Sequence, residues 1–448
     1  MSKPGFSSSI DDWLRWLETL SPREIDLGLE RVIAVLGRLP PAKSARVVHV
    51  AGTNGKGSSA AMLEALFLKA GCRVGCYTSP HLLRYNERIR VNGVAVDDRE
   101  IVAAFESVEA ARHGVPLTYF EYGTLAALAV FAQNGLDTLV LEIGMGGRLD
   151  AVNAIEPDGG IITNVALDHC EWLGSDVETI AREKAGIMRP GKPVIFSSYE
   201  VPLAIEAIAT ELGADLRILG KHFRFTEESR FSGTWTWHGR DLVLEDLPVP
   251  ALKGRFQLQN AAGVLALLEA LEPGQLLRRD AVSEVLRGVS LPGRFQWLGA
   301  NRRWLLDVAH NPHAARALAA SLAGLAPRRP VTAIVGILAD KDLQGIIAPL
   351  APHIDRWIAV TARSPRALDA HELAQSIASF SNKPCLIIGS LSDAMRYADE
   401  QADENGLILV TGSFYTVGPA LEEKRAMEKG DKRKKGTVTF FGDAQGRP

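Results

Sequence analysis

An excess of charge of one sign is what this 448-residue chain most plainly lacks. Lysine plus arginine number 50 against 53 aspartates and glutamates, a formal balance of −3. No global basic field is therefore available to hold nucleic acid or an anionic membrane. Long apolar runs are missing too. Nowhere do about 18 apolar residues stand together, which argues against a membrane span, and the richest stretch, Gly123 to Gln133, reads as a buried helix. Cysteine is scarce: Cys72, Cys76, Cys170 and Cys385 show neither a disulfide framework nor paired CxxC zinc spacing, so reduced thiols in the cytoplasm are expected. The opening MSKPGFSSSIDDW has no apolar run behind a positive start, and no secretory signal is expected. No internal repeat of about 20–50 residues is visible.

What is present is ordinary globular material, 46% hydrophobic and 23% charged. At roughly 150 residues per domain the length suggests two or three domains. Strand-like runs alternate with helical patterns, the signature of a mainly parallel sheet with crossover helices. Arg46–Ala51 reads as a buried strand, followed by a Gly-rich turn and a helix to about Ala70. Arg73–Tyr77, Thr138–Ile143, Gly160–Asn164 and Pro193–Phe196 read as further strands, and Arg88–Val96 as a hairpin, because Asn92-Gly93 suits a type I′ turn. From Leu216 to Leu247 the alternation shortens to segments such as Thr234–His238, which predicts a small antiparallel patch, with helices at Leu258–Leu271 and Arg279–Arg287.

A second α/β series begins near Arg294, with strands at Trp304–Val308, Val331–Val335, Arg356–Val360, Cys385–Ile388 and Leu407–Val410. Leu291-Pro292-Gly293 punctuates the two series. The expected division is thus residues 1–293, residues 294–423, and a flexible tail over residues 424–448 whose basic run, Lys432–Lys435, reads as solvated.

The densest local signal is Gly52-Thr53-Asn54-Gly55-Lys56-Gly57-Ser58-Ser59, between a strand and a helix. Glycines let backbone N–H groups converge on a phosphate, the helix N-terminus adds a favourable dipole, and Lys56 adds a point charge. A tight turn with an incidental lysine is the bland alternative, and the strand–loop–helix setting weighs against it. The loop departs twice from the common G-x-x-x-x-G-K-S/T pattern. Val50 stands in the place of the first glycine, and Gly57 follows the lysine where a hydroxyl residue normally reaches Mg²⁺. Magnesium prefers octahedral oxygen coordination, so its ligands would have to come from elsewhere. Ser79 in Thr78-Ser79-Pro80-His81, Glu142 before a Gly-rich loop, and Asp168-His169 all stand at the ends of predicted strands. That edge is where open α/β sheets bind ligands.

Nine pieces in this order resemble the Mur ligase superfamily, and within it the folylpolyglutamate synthase branch: AGTNGKGS (51–58), YTSPHL (77–82), TYFEYGTLAAL (118–128), LEIGMGGRLDAVN (141–153), TNVALDHCEWLG (163–174), REKAGI (182–187), PGRF (292–295), DVAHNP (307–312) and TGSFYTVG (411–418). The resemblance runs to about Pro419, and Gly57 itself discriminates, since cell-wall ligases usually carry a hydroxyl residue after the lysine. It implies a P-loop-containing, mainly parallel N-terminal sheet with a small antiparallel patch, plus a smaller Rossmann-like C-terminal α/β domain. The implied activity is an ATP-dependent amide ligation that adds L-glutamate to dihydropteroate and then to the tail of reduced folates. A cell-wall precursor ligase is the alternative, and the Gly57, TYFE and DLGL segments argue against it. A binding module that has lost catalysis is a second alternative, disfavoured by the retained Lys56, Glu142, His169 and Lys184.

The resemblance also assigns roles. Thr53, Asn54, Gly55, Lys56, Gly57 and Ser58 would hold ATP together with Asn260, Arg294 and Asp307. Ser79, Glu142 and His169 would bind magnesium, two ions in all. Asp26, Leu27 and Gly28, then Thr118, Tyr119, Phe120 and Glu121, then Leu149, Asp150 and Ala151 match the segments that hold the pterin. For Asp26 a helix N-cap is the competing reading. Lys184 would carry a carbamate formed with CO₂, although from the residues alone a surface salt bridge is the plainer reading. His310 and Ser413 would bind glutamate or orient the nucleophile, with helix capping as the alternative, and Asn260 is placed in the first turn of its helix. The catalytic set is then Lys56, Lys184 and His310, in a cytoplasmic monomer without nucleic-acid or membrane partners.

Overall fold

Buried parallel strands need apolar side chains on both faces, and Arg46–Ala51 (β1) supplies them, with every residue but the first buried. The computed structural model describes residues 3–5, 7–21, 23, 25–40, 45–228, 233–254, 256–272, 276–299, 302–325, 330–403 and 405–428. These fall into two units, residues 1–251 with 256–290, and residues 252–255 with 291 onward. In the first unit β1 is joined by β2 (Val74–Tyr77), β3 (Ile89–Val91), β4 (Val94–Ala95), β5 (Thr138–Glu142), β6 (Gly159–Ile162), β7 (Pro193–Phe196) and β8 (Asp215–Ile218). The eight-stranded order is β4-β3-β2-β5-β1-β6-β7-β8. From β2 to β8 neighbours are parallel, while β3 and β4 form an antiparallel hairpin on one edge. Its Asn92 and Gly93 take φ of 51° and 80°, as a type I′ turn requires.

The helix Tyr119–Gln133 shows why the apolar run at Gly123–Gln133 has no amphipathic period. Thr118 and Glu121 close a capping box at its start, and every residue from Glu121 to Phe131 is buried. The helix Phe256–Leu271 is similarly enclosed.

A three-stranded antiparallel sheet, β9 (Arg224–Glu227), β10 (Thr234–His238) and β11 (Val243–Pro248), belongs to the same unit. Its start corrects the expected Leu216: that residue lies in β8, paired with Val194 of β7, and β8 is a parallel edge strand too short and too mixed to announce itself. The patch is fastened to the helix Phe256–Leu271. Trp237 donates its indole N–H to the carbonyl of Ala262 at 3.1 Å. Glu269 accepts the amides of Arg240, Asp241 and Leu242 at 2.9, 3.0 and 3.1 Å.

The second unit holds β12 (Gln296–Leu298), β13 (Trp304–Leu306), β14 (Val331–Val335), β15 (Arg356–Ala359), β16 (Cys385–Ile387) and β17 (Leu407–Thr411) in the order β12-β13-β17-β14-β15-β16. All pairs are parallel except β12 with β13. The three-residue β12 adds an edge strand to those expected. Nor does a tail begin at Lys424: the helix Phe414–Glu428 runs through it, with Lys424 over the Trp304 ring at 5.1 Å. The rest of the expected tail, with Lys432–Lys435, lies outside the described residues. Among the described residues no helix is long and apolar enough to cross a membrane.

Candidate active site

The loop between β1 and the helix Lys56–Lys69 is built for close backbone approach. Gly52 takes φ 141°, and a side chain there would come within 1.8 Å of Thr163 Oγ1. Gly55 takes φ 90°, and its missing side chain leaves room for the Asn260 amide. No side chain caps the helix that follows, so its first turn presents donors and the positive end of the dipole. Lys56 Nζ donates to the carbonyls of Gly52 (3.0 Å) and Thr53 (3.4 Å), which folds the ammonium over the loop.

Thr53 and Asn54 hold the loop's shape. Thr53 Oγ1 donates to the carbonyl of Ala166 and accepts from its amide. The Asn54 amide donates to Asn164 Oδ1 at 3.1 Å, and its carbonyl accepts from Thr163 Oγ1 at 2.6 Å and Asn164 Nδ2 at 2.9 Å. Asn260 falls in the second turn of its helix rather than the first, because that helix starts at Phe256, two residues before the expected Leu258. Its Nδ2 donates to Gln257 Oε1 at 3.0 Å, and Gln257 Nε2 donates to Ser58 Oγ at 3.2 Å. Gln257, 1% exposed, is thus a supporting residue that sequence reasoning missed. A glutamine in FQLQNAAG offers no signal until the fold brings it to the loop.

Glu142, buried at the end of β5, accepts the Ser79 amide at 3.2 Å, and its Oε2 lies 3.9 Å from where a side chain at Gly57 would begin. Two of the three expected magnesium ligands, Ser79 and Glu142, are therefore brought together beside the residue that lacks a hydroxyl. His169 starts a short helix at φ 51°, half-buried, with its Nε2 3.9 Å from Asp168 Oδ1. Among the described residues no group of three or more His, Cys, Asp or Glu side chains forms a metal cluster. The donor set offered is a serine hydroxyl, a buried carboxylate and an imidazole, and its two oxygens suit a hard divalent cation.

Lys184 overturns the salt-bridge reading. It lies in the last turn of the helix Val177–Ala185, 3% exposed. Burial pushes its ammonium down to about 7; the Lys56 charge pushes the same way, and Asp168 and Asp150 oppose. Asp150 is buried as well, and burial lifts its carboxyl to about 6 against the amides of Met145 and Val152. Those amides donate to it at 2.8 and 3.0 Å, so Asp150 organises its own loop and caps the turn Ala151–Ala154.

The three segments expected to hold a pterin meet. The Gly28 amide donates to the carbonyl of Leu149 at 3.3 Å. The Phe120 ring lies so close over Gly144 that a side chain there would approach it within 2.4 Å. Tyr77 packs against Phe120 at 6.0 Å between ring centres, and Arg88 lies over Tyr119 at 5.7 Å. Thr118 and Glu121 are both buried, and Ala151 with them, while Leu27 and Leu149 are half-buried. Asp26 is not a helix cap, since Leu29 holds that position for Glu30–Leu36. It pairs instead with Arg31 at 2.9 Å.

The second unit gathers its own group. Asp307 accepts the amides of Phe295 and Ala309, both at 2.9 Å, and burial raises its pKa against the Arg294 charge. The Phe414 ring takes the Arg294 guanidinium at 5.1 Å and the His310 ring at 5.8 Å, a bridging role no motif announced. Capping falls to Asn311 rather than His310. Ser413 directly precedes the helix Phe414–Glu428, with its hydroxyl 2.8 Å from Thr416 Oγ1.

Comparison with known proteins bears on what these groups serve. Residues 50–197 match the Mur ligase middle domain and residues 293–414 the Mur ligase glutamate ligase domain. The dihydrofolate synthase/folylpolyglutamate synthase of Escherichia coli is 40% identical over 430 residues, which span 96% of this chain and 99% of that one. The solved structure of E. coli FolC in complex with DHPP and ADP superposes with a TM-score of 0.88 at 40% identity, covering 95% of this chain and all of that one. A bifunctional folylpolyglutamate synthase/dihydrofolate synthase solved with Mn, AMPPNP and L-glutamate bound gives a TM-score of 0.86 at 42% identity, over 94% and 99% of the two chains.

Proposed function

Because the chain belongs to the dihydrofolate synthase/folylpolyglutamate synthase family of Mur ligases, we propose that it ligates L-glutamate to dihydropteroate and to the glutamate tail of reduced folates, with conversion of ATP to ADP and phosphate. A carboxylate is a poor acylating agent. Transfer of the γ-phosphoryl group converts it to an acyl phosphate, which the glutamate amine then attacks with loss of phosphate. Negative charge accumulates on the phosphates, so positioning and cationic stabilisation carry the catalysis.

The loop of Thr53–Ser58 would cradle the phosphates with its uncapped amides, and Lys56 would move its ammonium from the loop carbonyls to the phosphate oxygens. Divalent cations, two Mg²⁺ in this reading, would neutralise charge on those oxygens. Ser79, Glu142 and His169 would hold them, in compensation for the hydroxyl that Gly57 lacks. Asn260 supports the loop at Gly55, and Arg294 and Asp307 are the nucleotide-binding candidates of the second unit. His310 and Ser413 remain its candidates for glutamate. Lys184 would carry a carbamate: its neutral amine forms an N–C bond to CO₂ and releases a proton. The result is a fixed anion near Lys56, suited to steadying a cation.

The observation that carries the choice of acceptor is the meeting of segments 26–28, 118–121 and 149–151, with Phe120 laid on Gly144 as an aromatic wall. Such a wall suits a flat heteroaromatic ring. Four free cysteines are consistent with a cytoplasmic protein, and a monomer is expected from size-exclusion chromatography. The deciding experiment supplies ATP, Mg²⁺ and L-glutamate with dihydropteroate or tetrahydrofolate, and follows ADP release and product mass. Glutamyl adducts on both acceptors establish both activities. An adduct on tetrahydrofolate alone reduces the function to tail extension, and none on either redirects attention to cell-wall precursors.

A further inference from the structure

Residues 25–28 have no regular secondary structure, yet they include the first of the three segments brought together around the proposed pterin site. Among the described residues few hydrogen bonds or ion pairs tie this stretch to the rest of the unit. One is the Gly28 amide on the carbonyl of Leu149, at a long 3.3 Å. The others converge on Arg31, in the first turn of the helix Glu30–Leu36. Its guanidinium meets the Asp26 carboxylate at 2.9 Å and the Asp26 carbonyl. From the same group, Nε donates to both oxygens of Glu121, at 3.1 and 3.3 Å, and a terminal nitrogen lies 2.9 Å from Oε1.

Glu121 is itself fixed. Its Oε2 accepts the Thr118 amide at 2.8 Å, and its side chain is only 4% exposed. A planar fork between two carboxylates is a task for arginine and not for lysine, because the guanidinium directs several donors in one plane. With 23% of the Arg31 side chain exposed, the pair is shielded enough to be directional without being wholly desolvated.

We infer that Arg31 is a positioning residue for the pterin acceptor, clamping segment 26–28 to the capped start of the helix Tyr119–Gln133. The inference rests on the folate reading above. Arg31 does not need to touch the substrate: it sets the distance between the two walls. Loss of the clamp therefore weakens acceptor binding and leaves the phosphate loop, which belongs to other elements, undisturbed.

The test is steady-state kinetics on the full-length protein with dihydropteroate as acceptor, for wild type, Arg31→Gln and Arg31→Lys, alongside thermal melting. R31Q is expected to raise KM for dihydropteroate roughly tenfold, with KM for ATP and kcat each within about twofold of wild type. R31K, which keeps the charge and loses the fork, is expected to recover part of the loss. A second readout is the double variant Asp26→Asn with R31Q: if Asp26 acts through Arg31, the double variant is no worse than R31Q alone. An unmoved acceptor KM in R31Q, or equal rises in KM for ATP and acceptor, overturns the inference. If R31Q does not fold, R31K decides: a rise of roughly threefold in acceptor KM supports the clamp, and none refutes it. A wild-type protein that fails to glutamylate dihydropteroate sinks the folate reading and the clamp with it, whereas wild-type turnover with an unmoved KM in the variants sinks the clamp alone.

Discussion

Lys184 offers the sharpest prediction, because its burial and its proposed chemistry are linked by arithmetic. At an ordinary pKa of 10.5 about one lysine in three thousand is uncharged at pH 7. With the pKa held near 7 about half of Lys184 is uncharged, so the amine able to attack CO₂ is enriched by roughly a thousandfold. The perturbation is removal of CO₂ from buffers and enzyme, with Lys184→Met as its permanent counterpart. Loss of a preorganised charge beside the reacting phosphates costs about 10²–10³ in kcat. Depleted wild type and K184M should both fall by that order, and added bicarbonate should restore only the wild type. The pH sign follows from the same value. Below pH 7 the neutral amine declines tenfold per unit, so activity at limiting CO₂ falls with it, while above pH 7 it levels off. Folded Lys184 also releases its proton at a lower pH than the unfolded chain. The fold should therefore gain stability as pH rises from about 7 towards 10.5, and lose it as pH falls through 7. Carbon NMR with labelled bicarbonate reads the adduct directly. A K184M enzyme that keeps a tenth or more of wild-type kcat, or a depleted wild type at full rate, refutes the reasoning.

Gly52→Ala combines a forbidden φ with a collision at Thr163 Oγ1; nucleotide affinity measured by calorimetry should fall more than tenfold, at a stability cost of about 2–4 kcal/mol, and unchanged ATP binding would count against the loop assignment. Gly57→Ser meets only Glu142 Oε2 at 3.9 Å, so its melting temperature should stay within about 2 °C of wild type. The added hydroxyl beside Glu142 should lower the Mg²⁺ concentration for half-maximal rate, and an unaltered metal dependence would argue that Glu142 does not face the cation. Glu269→Ala strips three amides of their acceptor and should cost about 2–4 kcal/mol in urea denaturation while KM for ATP is unchanged; a wild-type midpoint would show that water replaces the carboxylate without loss.

The strands most readily read from the sequence are those with both faces buried, because a short unbroken apolar run bounded by turn residues is what such a strand requires. β8 and β12 are hard to read for the opposite reason: an edge strand of three or four mixed residues carries no such run. The helix Phe414–Glu428 outlasts its apolar pattern because its last residues are charged, and charge alone does not distinguish a solvated helix end from a tail. The proposed phosphate loop is legible since strand, glycines, lysine and helix are contiguous. Arg31 and Gln257 are not, because their work lies with partners 90 and 199 residues away. The burial of Lys184 is equally hidden, for a lysine between arginine, glutamate and alanine has the composition of a surface turn.

The bond between Gln257 and Ser58 has a consequence for how the protein is made. Ser58 leaves the ribosome 199 residues before the amide that secures it. At about 5–20 residues per second, roughly 10–40 s of synthesis separate the two. Throughout that interval the phosphate loop exists as sequence and even as a strand and a helix, but Asn260 does not yet fill the space at Gly55. On the nucleotide-site assignment proposed above, nucleotide binding would be a late property of the growing chain, acquired only after the helix Phe256–Leu271 has emerged and docked. A ribosome stalled before that helix would display a nascent β1–helix unit unable to hold ATP as the finished enzyme does.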